Sequence, residues 1–322
     1  FNANYSKEDL NIISGVSYSN YKGNHFGEVI WGSHLATNTS IRDRYYFSDA
    51  LKKDFSFFSK TTFTISNKLS GYLDLQGRFV SYQTSGLTSD RAPIDVDSNF
   101  NFFNPKAGFI YRITENSDLY FSFARAHREP NRNDFENGVS TAERLDDFEL
   151  GWRYRSEQFK LNANGYYMNY TDQLVLTGAI DDVGAPIRAT SGKSYRLGFE
   201  LDADYKISNS FSLQPNAAFS ANRNQDFKAF VFGELKNLGD TPLSFSPGII
   251  VGNRFTYTAD EHFQLALLSK YVGEQYMSNL GSEVSSLDVL DGYFTSDLNL
   301  VYQIEPNSIF KSIIFTVLFN NI

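Results

Sequence analysis

The stretch YRLGFELDADYKI, residues 195–207, decides how the chain is read. Tyr195, Leu197, Phe199, Leu201, Ala203, Tyr205 and Ile207 fall on one parity. Arg196, Glu200, Asp202, Asp204 and Lys206 fall on the other. A period of two places successive side chains on opposite faces of an extended strand, so this segment is a strand with one apolar and one charged face. The split recurs at Phe148, Leu150, Trp152 and Tyr154 against Asp147, Glu149, Arg153 and Arg155. It recurs again at Phe211, Leu213, Ala217 and Phe219 against Ser212, Gln214, Asn216 and Ser220. A soluble sandwich also alternates, so length must decide. The alternating runs reach roughly 11 to 15 residues, whereas globular strands average about 5 to 6 and a tilted membrane strand needs about 9 to 11.

The connections have a rhythm of their own. Tight polar turns are expected at residues 6–9, 67–70, 115–117, 157–158, 209–210, 259–261 and 306–308. They alternate with longer segments at 33–49, 85–99, 128–142, 173–191, 223–241 and 279–291, which are rich in Asp, Asn, Ser and Gly and contain Arg42, Arg44, Arg91, Arg128 and Arg132. Short turns on one side and long loops on the other are the pattern of an outer-membrane barrel. The expected fold is all-β, a transmembrane antiparallel up-and-down β-barrel, with about 13 to 14 strands in the 322 residues. The units share a pattern but no repeated motif, and no 3.6-residue apolar stripe marks a helix.

Composition agrees once the alternation is recognised. Mean hydropathy is −0.36, which averaged scores would read as soluble, yet 30 Phe and 20 Tyr are concentrated in a chain with only two Trp. Phe and Tyr favour strands and membrane interfaces. Accordingly Tyr45, Tyr46, Phe47, Tyr82, Tyr166, Tyr167, Tyr170, Tyr271 and Tyr276 are expected in an interfacial girdle. The absence of Cys excludes a disulfide framework and thiolate chemistry. The net charge of −8 argues against nucleic acid as a partner. No His-Glu-x-x-His, Gly-x-Ser-x-Gly or Walker loop occurs, and the paired acids Asp146/Asp147 and Asp181/Asp182 fall in or near loops; neither an enzyme nor a cofactor is expected.

Four segments carry a resemblance. FARAHREPNRNDF (residues 123–135), the hairpin FNPKAGFIYRITENSDLYFSFA (103–124), SGKSYRLGFELDADYKIS (191–208, with Gly192-x-Ser194-x-x-x-Gly198-x-Glu200) and IIFTVLFNNI (313–322) together resemble TonB-dependent outer-membrane receptors of the Bacteroidetes type. The resemblance implies a 22-stranded barrel closed around an N-terminal plug, with residues 313–322 as strand 21 and the opening residues in strand 8. Residues 1–322 would then be a partial barrel domain, without the plug, the early strands and the last strand. It further implies import of a scarce nutrient, an iron-siderophore or similar chelate, with TonB acting through the plug. Outer-membrane lipid and lipopolysaccharide would surround the wall of such a protein. A passive channel and a barrel serving as a structural or secretion partner are the alternatives.

Candidate site residues follow from this frame. Arg128, Glu129, Asn131, Arg132, Asn133 and Asp134 crowd the loop end of a strand, where they could grip an anionic chelate or fasten loop to barrel. His25 and His34, with His127, could contact a ligand, although single histidines without paired spacing are ordinary polar residues and no metal site is expected. Glu149, Arg153, Arg196, Glu200, Asp202 and Lys206 must face the lumen or plug, because Arg or Lys facing hydrocarbon costs roughly 2–4 kcal/mol at mid-membrane.

Overall fold

The computed structural model describes residues 1–34, 38–180, 184, 186–231, 234–280, 289–306 and 309–322. Fourteen strands form one continuous antiparallel wall in chain order. They are β1 (Asn2–Lys7), β2 (Leu10–Glu28), β3 (Arg44–Ser66), β4 (Leu69–Leu87), β5 (Pro93–Thr114), β6 (Ser117–Arg128), β7 (Glu143–Arg155), β8 (Phe159–Thr171), β9 (Lys193–Lys206), β10 (Phe211–Gln225), β11 (Ile249–Thr258), β12 (Phe263–Val272), β13 (Tyr293–Ile304) and β14 (Ile313–Phe319). A two-residue strand, Thr241–Pro242, also pairs with β10, and short hairpins form within three of the long connections. Among the described residues no ladder joins β1 to β14.

The ladder fixes the faces, since register partners share a side. Phe148 of β7, Tyr167 of β8 and Leu197 of β9 are partners, as are Leu150, Gly165, Phe199 and Phe219 across β7 to β10. This apolar face is exposed throughout, with Leu150 56% exposed. In water such a surface would be an aggregation hazard; against hydrocarbon it is the expected side. The opposite, inner face carries Glu149, Asn164, Glu200 and their neighbours. Two of its tyrosines lie flat: Tyr120 across its partner Gly151 and Tyr166 across its partner Gly198, where a Cβ on either glycine would collide with the ring.

One expectation fails for a physical reason. Residues 85–99 were expected as a long loop, but β4 runs to Leu87 and β5 starts at Pro93, so only five residues connect them. At about 3.3 Å per residue, the 23 residues of β3 make it roughly twice as long as a bilayer crossing needs. The strands therefore leave the membrane, and beyond it the alternation inverts. Low on β4 the outward side chains are Leu73, Leu75 and Phe79; higher up Ser81 and Gln83 face out while Val80, Tyr82 and Thr84 are buried inside. On β5, Phe103 and Phe109 face out, whereas higher up Asp95, Asp97 and Asn99 do, and Ile94 and Phe102 are buried. A polar outward face in water looks like loop composition.

The connections differ elsewhere too. One helix, α1 (Arg132–Glu136), interrupts the segment expected to be irregular; at five residues it is too short to show an apolar stripe. Leu174–Ile180 and Pro186–Thr190 pair with each other as short antiparallel strands. The acids Asp181 and Asp182, most of the expected loop at 279–291, and part of the turn at 306–308 lie outside the described residues. The girdle expectation is corrected for Tyr82, Tyr166 and Tyr170, which face inward: adjacent tyrosines such as Tyr166 and Tyr167 cannot share a face of a strand. Tyr167 and Tyr271 do lie on the exposed outer face.

Candidate ligand-facing site on the inner wall

The connection between β6 and β7, residues 129–142, folds back across the inner face. β5 and β6 share a ladder only over residues 106–114 and 117–124; beyond it β6 parts from β5 while staying paired with β7 as far as Arg128. Its outer side then meets the inner side of β5. The His127 ring stacks on Phe102 at 5.0 Å, and its Nδ1 lies 2.7 Å from Asn104 Oδ1, whose amide donates to Gln76 Oε1.

Glu129 anchors this fold. Its carboxylate accepts hydrogen bonds from Lys52 Nζ of β3 at 2.8 Å and from both terminal nitrogens of Arg78 of β4 at 2.7 Å. Arg78 also donates from Nε and Nη2 to Asp54 Oδ2, at 3.0 and 2.6 Å. The Glu129 side chain is 8% exposed. Burial alone would push its carboxyl up, but the hydrogen bonds from Arg78 and Lys52 outweigh it and hold the pKa down to about 2. Glu129 therefore remains charged and paired.

Asn131 caps α1: its Oδ1 accepts the Asp134 amide at 2.9 Å, and Asp134 Oδ2 accepts the Asn131 amide at 2.8 Å. This capping box satisfies two otherwise orphaned helix donors. Asp134 is 3% exposed and also accepts from Arg188 Nε at 3.0 Å, which ties the neighbouring hairpin to the helix. Arg132 donates to Thr84 Oγ1 at 3.0 Å and pairs with Glu136 at 2.7 Å, while Phe135 stacks on Tyr82 at 5.4 Å. Asn133 bonds Asn137 within the turn. His25, on the inner face of β2, lies within electrostatic reach of Arg132 and Glu136.

Most of the loop candidates are therefore fastened to one another and to the wall. Arg128, paired with Glu143 at 3.0 Å, keeps 46% of its side chain exposed. His34 stands apart; its Nδ1 lies 3.4 Å from Ser33 Oγ. Among the described residues no three His, Asp or Glu side chains are grouped to hold a metal. The partners Lys52, Asp54, Arg78 and Arg188 were not singled out from sequence. Their only signal is parity, since an Arg at an inner position of β4 needs a carboxylate that lies 51 residues away.

Below the folded-in segments lies an open cavity of about 460 Å³. Glu149, Arg196 and Glu200 line it together with Tyr166, Met168 and Leu176. Arg196 donates to Ser246 Oγ at 2.9 Å. Asp202 lines a second inner hollow of about 690 Å³ with Asp204, Arg254 and Lys270. Arg153 instead sits 4.7 Å over the Tyr120 ring, and Lys206 lies at the short-turn end of its strand, so neither joins the cavity.

A consecutive antiparallel wall, apolar and exposed outside, polar and filled by loops inside, defines the wall of a transmembrane β-barrel. The chain belongs to the TonB dependent receptor-like, beta-barrel family, whose model matches residues 1–322. In sequence it is similar to the catecholate siderophore receptor Fiu of Escherichia coli strain K12, with 22% identity over 226 residues, 68% of this chain and 29% of Fiu. In structure it is similar to Fiu in its closed form (TM-score 0.70, 15% identity) and to the copper transporter OprC (TM-score 0.75, 15% identity); each alignment covers 99% of this chain and 49% of that protein. The ferric citrate transporter FecA aligns with a TM-score of 0.68 at 15% identity, over 95% of this chain and 46% of FecA. At these identities the likeness shows the fold. The chain spans about half the length of the receptors it superimposes on. Its Bacteroidetes-type likeness stays a resemblance.

Proposed function

We propose that this chain is the larger part of the barrel wall of an outer-membrane receptor that imports a scarce nutrient, an iron-siderophore or similar chelate, with TonB driving release through a plug carried elsewhere in the protein. The match of the family model to the whole chain, residues 1–322, carries this reading. The lack of a ladder between β1 and β14 among the described residues supports a wall completed by further strands. Glu149, Arg196 and Glu200 then face the lumen as groups against which a plug can pair. Strands that rise beyond the membrane supply an outward mouth, and Arg128 presents a half-exposed cation there. Transport, rather than catalysis, is what such a site can perform.

Deleting the gene for the whole protein is expected to abolish growth on a ferric chelate as sole iron source, with cobalamin and glycan sources tested in parallel. Unchanged growth on all of them would sink nutrient import. Arg128→Ala should weaken binding of the active chelate by roughly tenfold, as expected for loss of one charge-assisted hydrogen bond. A passive channel would instead make the purified full-length protein permeable to small solutes in liposome swelling.

A further inference from the structure

We infer that the upper edge of β5, from Ile94 to Asn104, is a docking site for an extended peptide strand of a partner protein, one that alternates cationic and apolar side chains. Lower down, β5 is paired on both sides, with β4 and with β6. From Pro93 to Pro105 it is paired with β4 alone, because its ladder with β6 begins at Lys106. The edges of β1 and β14 are open as well, but further strands can continue the wall there. β5 lies inside the chain order, and its own neighbour has already turned away. The hydrogen bonds from Arg112 N to Lys68 O and from Thr88 N to Ala92 O fix the phase of the ladder between β4 and β5. Even-numbered residues of β5 exchange their backbone bonds with β4, and odd-numbered residues point theirs away from it. The N–H groups of Asp95, Asp97, Asn99, Asn101 and Phe103 therefore all point to the open side, and among the described residues no hydrogen bond reaches them.

Nothing in the sequence blunts this edge. Strand edges that face water are usually closed to other strands by lysines, an internal proline or a bulge. Between Pro93 and Pro105 there is no Lys, Arg or Pro, and the register of β4 with β5 runs without a shift. A long, regular strand unpaired on one side is the platform for strand addition, in which main-chain hydrogen bonds supply affinity and alternate side chains supply selection. The two faces state what is selected. On the outer face Asp95 and Asp97 are exposed and stand with Asp49 and Lys22 around an open hollow of about 330 Å³. Asp97 accepts from Gln83 Nε2 at 3.1 Å, and none of the three carboxylates is ion-paired among the described residues. On the inner face stand Ile94, Val96, Phe100 and Phe102, with Ile94 and Phe102 buried. Side chains directly opposite each other in an antiparallel pair share a face, so the added strand sets lysine or arginine against Asp95 and Asp97 and apolar residues between them.

The test uses the full-length protein in detergent and three synthetic peptides of roughly ten residues. One alternates Lys and Val, one carries Glu in place of each Lys, and one is the Lys-Val peptide with its central Val replaced by Pro. The Lys-Val peptide is expected to bind tightest by fluorescence anisotropy. On binding it should slow hydrogen exchange at the amides of residues 95, 97, 99, 101 and 103, while the even-numbered amides, already bonded to β4, stay as they were. Asn99→Pro removes one free N–H without touching the ladder to β4 and should weaken binding roughly tenfold, whereas Asn99→Ala should leave it unchanged. Asp95→Asn combined with Asp97→Asn should weaken it roughly fivefold, as for the loss of two cross-strand ion pairs. Equal binding of the Lys-Val and Pro-interrupted peptides, or protection that does not alternate along β5, overturns strand addition. Equal binding of the Lys-Val and Glu-Val peptides overturns the basic partner. Dimers of the protein that Asn99→Pro dissolves would give the edge to a second copy and overturn the proposal as well. The amide pattern and the aspartate variant decide the matter even where Asn99→Pro does not fold.

Discussion

Replacing Arg78 by alanine is expected to free the 129–142 connection from the inner wall at a cost of about 3–5 kcal/mol to the local folded arrangement, the range for stripping the partner from a buried ion pair. The magnitude follows from what remains. Glu129, at 8% exposure, and Asp54, at 21%, would be left with only Lys52 between them. Hydrogen exchange of the amides from 129 to 142 in the full-length protein should rise by orders of magnitude, while exchange in β9 and β10 stays as it was. The triple variant Arg78→Met, Glu129→Leu and Asp54→Asn should restore most of the protection, because it removes Arg78 together with both of its carboxylates and leaves only the part-exposed Lys52. Protection unchanged in the single variant would show that α1 and Arg188 hold the segment unaided. The acid limb is set by the same group. Glu129 has its folded pKa depressed from 4.5 to about 2, so its stabilisation is fully present above pH 4.5 and is lost as pH falls through about 2. Exchange at 129–142 should therefore be flat above pH 5, after correction for intrinsic rates, and should climb only on strong acidification.

The second large effect concerns depth in the membrane. Leu150 and Gly151 are neighbours on β7 at the same height but on opposite faces, and Asn164 is the register partner of Gly151. Leu150→Arg places a guanidinium in hydrocarbon and should lower the folding free energy in vesicles by about 2–4 kcal/mol. Asn164→Arg puts the same group on the inner face within the cavity lined by Glu149 and Glu200, where the change should lie within about 1 kcal/mol. Urea titrations of the full-length protein folded into phospholipid vesicles measure both. Equal costs for the two would refute the assignment of the exposed apolar face to lipid.

The contrast shows what parity alone could reveal. Once Tyr195 to Ile207 and Asp147 to Arg155 are read as strands, the faces of Glu149, Arg196 and Glu200 follow without any tertiary information, because a one-residue slip would send the whole apolar set inward. Strand length above the membrane did not follow, since Asp95, Asp97 and Asn99 face water on a strand as readily as on a loop. Nor could a one-turn helix declare itself by periodicity. The fastening of Glu129 was beyond reach for another reason. Its partners are 51 and 77 residues away, on the far side of β5, so they depend on where β6 parts from β5, which no local pattern encodes. The tyrosines erred by composition: a count of aromatics near strand ends ignores which side each occupies.

Tyr120 and Tyr166 add something that charge and depth do not describe. A lumen walled by bulky rings would ordinarily be rough, with ridges a few ångströms high that snag whatever moves along its axis. Here each ring reclines in the space its partner glycine leaves vacant, so the bore is aromatic in substance and low in relief. One methyl group at Gly198 would tip the Tyr166 ring upright into the passage beside Glu149 and Glu200. The friction felt by a sliding body is in that sense written in two side chains the sequence omits.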